Sequence, residues 1–145
     1  MKTTNYQKFN FVDVLRNNTI NYSGVHNTLI TACPDIYQLL INLLNDKDLS
    51  SSLRTKVFTA IGYFLIPQDL FSEDEFGAIG YIDDIMLAMF VIYQATTEIG
   101  DENVKALFNK GDASYNSIFK STAYNDAQRE YLELFNEVLL YVGFN

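Results

Sequence analysis

Five of the six acidic residues between positions 69 and 84 are the side chains in this sequence whose types and spacing could do chemistry. They are Asp69, Glu73, Asp74, Asp83 and Asp84, and apolar segments lie on both sides of them. A lone carboxylate buried in hydrocarbon is too costly, so each must be hydrogen-bonded, paired, metal-bound or protonated. Either a structural network or a cation site would meet that requirement.

The structural interpretation is the favoured one. Asp69 follows a helix-ending proline and can accept N–H bonds from the next turn. Asp83 and Asp84 fall in the first turns of a predicted helix, where the helix dipole favours negative charge. Because successive helix residues point about 100° apart, we expect Asp83 to turn inward and accept backbone N–H groups of the 68–77 loop. Asp84 would then face solvent.

Two tyrosines flank this acidic loop. Tyr63 and Tyr81 could hydrogen-bond to the aspartates and form a buried polar network. We expect instead that their rings fill space and that their hydroxyls reach solvent or backbone.

A metal site is the alternative. Asp69, Glu73 or Asp74, and one of Asp83 and Asp84 could converge on a hard cation such as Mg²⁺ or Ca²⁺, which prefers several oxygen ligands. The absence of a nearby histidine argues against zinc. The sequence has no visible nucleophile–base pair or phosphate loop, so it favours a non-enzymatic role without a cofactor. The second hypothesis is a divalent-metal-binding protein or metal-dependent hydrolase.

The loop between the aspartates is also a candidate interaction segment. Aromatic side chains lie beside acids in this loop, an arrangement that suits a protein interface. The residues are Phe71, Glu73, Asp74, Glu75 and Phe76. A partner with a basic surface would be steered towards it. The simpler interpretation is a solvated acidic loop whose two phenylalanines fold inward, and it is preferred.

The charge distribution limits the partners. The net charge is −8, and no lysine or arginine lies between Lys56 and Lys105, where 9 of the 18 acids are found. The negative electrostatic field of this region repels nucleic-acid phosphates and anionic lipid. It favours cations or basic protein surfaces.

The hydrophobic pattern predicts an all-α class, because no long strand-like alternation is present. We expect a compact single-domain bundle of five or six helices. Ile85 to Tyr93 is apolar on every side, so a helix over about 78–97 should be buried at the centre. Other helices are predicted from Pro34 to about 44, from Ser50 or Ser51 to Pro67, over 101–109 and 113–120, and from Asn125 or Asp126 onwards.

A chain of 145 residues fits one domain. We expect residues 1–30, in which the pattern cannot distinguish helix from strand, to be an arm that packs on a helical domain over 31–145. Cys33 is the sole cysteine, so an internal disulfide is excluded and a cytoplasmic location is predicted. The longest strongly apolar run has nine residues, and a membrane span needs about 20, so none is predicted. The apolar end, 141–144, suits a homodimer face or a core helix equally.

Two anchored motifs resemble the YkvA-like family, whose members are small helical domains of unknown activity. They are Pro67-x-Asp69-Leu70 and Gly80-Tyr81-x-Asp83-Asp84, within a similarity that covers about residues 35 to 95. The family's loop carries two prolines that this chain lacks, and Glu73 or Asp74 stands where the family has an aspartate. The resemblance implies a fold and an arrangement of the aspartates, and it implies no reaction.

Overall fold

The computed structural model describes residues 10–66 and 77–144. Within these ranges the chain forms nine α-helices and one 3₁₀ helix, and no strand. The helices are α1 (Phe11–Thr19), α2 (Asn27–Thr31), α3 (Cys33–Leu44), α4 (Ser51–Leu65), α5 (Ile82–Ile99), α6 (Asp101–Phe108), α7 (Asp112–Phe119), α8 (Ala123–Glu130) and α9 (Leu132–Val142); the 3₁₀ helix is Gly77–Tyr81. The predicted all-α bundle is confirmed, although it has more helices than the five or six expected.

Helix α5 is the centre of the bundle, as its apolar sequence predicts. It packs against α2, α3, α4, α6, α8 and α9. Its residues from Ile82 to Met89 are all buried, and so are Val91, Ile92 and Ala95. Together with the preceding 3₁₀ helix it is long and apolar enough to cross a membrane, but 72% of the apolar window is buried inside the domain. Neighbouring helices therefore account for its hydrophobicity.

Helix α4 is tied to α5 at both of its ends. Ser50 Oγ accepts the Leu53 N–H at 3.1 Å and so caps the start of α4. The Glu98 carboxylate, near the end of α5, accepts the Ser50 N–H at 2.6 Å and the Ser50 hydroxyl at 2.8 Å. These two bonds lower the pKa of Glu98. The other end of α4 carries Tyr63, which reaches the start of α5.

Helix α1 packs on the bundle. Leu15 of α1 is fully buried, and the Phe11 ring lies edge-on to Tyr37 of α3 with centroids 5.1 Å apart. Asn18 Nδ2 donates to the Tyr81 hydroxyl at 2.8 Å, which links α1 to the 3₁₀ helix before α5.

The single last helix expected from position 125 or 126 is wrong. The chain forms α8 from Ala123 and, after a break at Tyr131, α9. The earlier start lets the buried Tyr124 ring pack on Tyr93 at 5.1 Å. Asp126 does not cap a helix, because its carboxylate accepts the Thr122 hydroxyl at 3.0 Å and pairs with Arg129 at 2.9 Å.

A buried tyrosine stabilises a carboxylate where α6 meets α7. The Tyr115 hydroxyl donates to Asp101 Oδ1 at 2.8 Å, and Lys120 Nζ lies 3.0 Å from the same oxygen. The Tyr115 hydrogen bond is the main reason that the pKa of Asp101 lies below its ordinary value of 3.8. A lowered carboxyl pKa stabilises the fold above the unfolded-state pKa, and that stability is lost as the pH falls through the folded-state pKa.

We therefore expect Tyr115→Phe to raise the pKa of Asp101 and to flatten the acid side of the stability curve below about pH 4. Carboxyl NMR titration and thermal melts at a series of pH values would measure the two effects. Tyr124→Phe is the matched control, because it removes the hydroxyl of another buried tyrosine outside this pair. An unchanged Asp101 pKa in Tyr115→Phe would contradict the assignment.

Candidate functional site

The two aspartates that open α5 lie deep inside the bundle. Asp83 is 0% exposed and Asp84 is 1% exposed. The Tyr63 hydroxyl, on α4, donates to Asp83 Oδ2 at 2.7 Å. Asp83 Oδ1 accepts the backbone N–H of Asp84 at 3.0 Å. The Asp83 carboxylate thus joins the end of α4 to the first turn of α5, where the helix dipole favours a negative charge.

Two expectations about this corner are wrong. Asp84 does not face solvent, because helices surround α5 and a rotation of about 100° from Asp83 still points into protein. The Tyr63 side chain is only 1% exposed and its hydroxyl bonds to Asp83, so the polar network is the interpretation that holds for it. A single sequence carries the spacing of these residues, but not the packing that covers both faces of the helix.

The remaining candidates, four acids and two phenylalanines, lie outside the described residues, namely Asp69, Phe71, Glu73, Asp74, Glu75 and Phe76. The predicted bonds from the 68–77 loop to Asp83 fall there too. Within residues 10–66 and 77–144, no group of three or more His, Cys, Asp or Glu side chains is arranged to hold a metal ion. The metal hypothesis, which needs Asp69 and a loop acid, stays a prediction.

A polar groove lies away from the aspartates, between α2, α7 and α8. It holds two adjoining cavities of about 520 and 300 Å³ that share Thr28 and Ser117. His26 Nε2 lies 2.7 Å from Glu130 Oε1 across it, and the histidine side chain is only 11% exposed. Hydroxyls and carboxylates make up much of the lining, so it could hold water or a small polar molecule. No local pattern in the sequence indicates this pairing, because its two members are 104 residues apart.

An unpartnered apolar face on α4 is the surface feature that sequence reasoning missed. Phe58 is 66% exposed and Leu65 is 50% exposed. Gly62 lies between them, and a Cβ added there would meet no atom of the described residues within 4 Å. At about 100° per residue the three fall within roughly 60° of arc. We call Phe58, Gly62 and Leu65 the α4 ribbon.

The end of α9 also carries exposed apolar residues. The Tyr141 ring packs edge-on against Tyr63 of α4, with centroids 6.2 Å apart, and is itself 58% exposed. Leu140 is 64% exposed. The signal for the ribbon was available in the sequence, because Phe58 and Leu65 lie seven residues apart and off the buried stripe of Leu53, Val57, Ala60, Ile61 and Phe64.

Comparisons with known proteins add a likeness without an activity. Residues 54–90 match a family described as "Protein of unknown function (DUF1232)". This stretch includes Tyr63, Asp83 and Asp84. The chain is also similar to an "Uncharacterized protein ORF9" of Methanothermobacter thermautotrophicus, with 30% identity over 87 residues. That alignment covers 60% of this chain and 60% of the relative. No solved structure matches.

Proposed function

We propose that this protein is a non-enzymatic accessory domain that works by binding other protein surfaces. The α4 ribbon is the observation that carries the proposal. Apolar residues scattered singly on a surface are normal, but contiguous ones bordered by polar residues mark interaction sites. Phe58, Gly62 and Leu65 form such a set on one face of α4.

The buried aspartates take a structural role in this proposal. Asp83 is fully buried and holds a hydrogen bond from Tyr63, so its carboxylate stabilises the scaffold that presents α4. Buried polar groups in proteins are generally hydrogen-bonded, because burying an unpaired one is costly. We also infer that the chain is a YkvA-like domain, which the Gly80-Tyr81-x-Asp83-Asp84 motif supports.

The single cysteine supports a cytoplasmic location, and the net charge of −8 supports a further partner with a basic surface. The acids Glu73, Asp74 and Glu75 follow α4 closely in the sequence and would steer such a partner towards the molecule.

Affinity capture from the native cell with the full chain as bait tests this function. We expect Phe58→Asp to abolish the capture of specific proteins while leaving the thermal midpoint within a few degrees, because the side chain is exposed. Val25→Asp is the matched control, since Val25 is 61% exposed and lies outside α4. Purified captured protein should then bind the wild type and not Phe58→Asp. Equal capture by the wild type and both variants would contradict an interaction role for the α4 ribbon.

A further inference from the structure

We propose that the α4 ribbon pairs with the same ribbon of a second copy of this chain, in an antiparallel helix pair that crosses at Gly62. The inference rests on the proposed function only in taking the ribbon as an interface. It goes further by naming what covers that interface and in which register.

Gly62 is the first support. Glycine inside a helix is less stable than alanine, so its presence there needs a reason. Nothing in the described residues comes within 4 Å of an added Cβ at this position, so no contact among those residues requires the glycine. A helix surface without a Cβ lets a second backbone approach closely from outside.

The second support is that the ribbon is self-complementary about Gly62. Phe58 lies four residues before the glycine and Leu65 three residues after it. With a rise of about 1.5 Å per residue, these offsets are about 6 and 4.5 Å along the axis. In an antiparallel two-fold pair, Phe58 of each copy therefore lies over Leu65 of the other. This is the reciprocal contact that an isologous interface requires.

Charge is the third support. No Asp or Glu lies between Ser50 and Ile66, in a chain of net charge −8. Its two cations are already engaged: Arg54 donates to the carbonyls of Asp46 and Leu49 at 2.9 Å, and Lys56 Nζ donates to Gln94 Oε1 at 3.1 Å. Two copies can meet on this face without the repulsion that opposes contact elsewhere. A strongly basic or acidic partner would find no matching charge here.

Sedimentation equilibrium of the full chain tests the pairing. One chain has a mass of 16.6 kDa. We expect the wild type to have twice this mass and Phe58→Asp to have the mass of a single chain. Val25→Asp should remain a dimer. Gly62→Leu is the sharpest variant, because it should raise the thermal midpoint of the single chain and still abolish the dimer.

Crosslinking tests the register. A Gly62→Cys variant should form a disulfide-linked dimer on mild oxidation at least tenfold faster than Asn136→Cys, an exposed site on α9. Cys33 is fully buried and so contributes little background.

A wild type that is a single chain at hundreds of micromolar would overturn the pairing, and so would a dimer that Phe58→Asp and Gly62→Leu leave intact. If a monomeric wild type still captures a protein that Phe58→Asp does not, the proposed function stands and only the second copy fails. If neither dimer nor captured protein depends on Phe58, both proposals fail.

Discussion

Leu87→Ala is expected to lower the free energy of unfolding by about 2–5 kcal/mol, the range for a leucine truncated in a tight core. Leu87 is 0% exposed in the middle of α5, which six other helices contact, so little room exists for the surroundings to collapse into the cavity. Chemical denaturation monitored by circular dichroism would measure the loss. Thr97→Ala is the matched control on the same helix, and its exposed side chain should change the stability by about 0.5 kcal/mol or less. Similar values for the two variants would contradict the central position of α5.

Asp83→Ala is expected to lower the free energy of unfolding by roughly 1–3 kcal/mol, because it leaves the buried Tyr63 hydroxyl and the Asp84 N–H without their acceptor. The same denaturation experiment would measure it. Asp84 is itself buried and cannot serve as an exposed control, so Glu137→Ala on the outer side of α9 takes that place. Unchanged stability together with loss of partner binding would show that Asp83 acts in recognition.

The sequence was most informative where a pattern is local. The apolar run from Ile85 to Tyr93 predicts a buried helix from its own residues, and the structure places that helix at the centre of the bundle. Ser50 predicts the start of α4 because a cap and its N–H partner are three residues apart. Such features need no knowledge of the rest of the fold.

The sequence was least informative where distant elements meet. Asp84 is buried because the first two turns of α5, from Ile82 to Met89, are covered on every side, and no rule about helix faces contains that information. The start of α8 at Ala123 places the Tyr124 ring against Tyr93, which is a tertiary contact. The His26–Glu130 pair depends on α8 lying beside α2.

The α4 ribbon falls between these cases. Its spacing was visible, but a phenylalanine or leucine off the buried stripe is common on protein surfaces. The α4 ribbon differs from single exposed apolar residues because Phe58 and Leu65 are both exposed, on either side of a glycine that no described residue packs against.

The scaffold that presents this ribbon depends on the bond between Tyr63 and Asp83, and a double-mutant cycle measures it most directly. The free energy of unfolding would be determined for the wild type, Tyr63→Phe, Asp83→Ala and the double variant. We predict a coupling of about 0.5–3 kcal/mol, because residues in direct contact are not additive. Effects that add to within about 0.3–0.5 kcal/mol would contradict the account, since they would mean that this carboxylate does not hold α4 to α5 through the tyrosine.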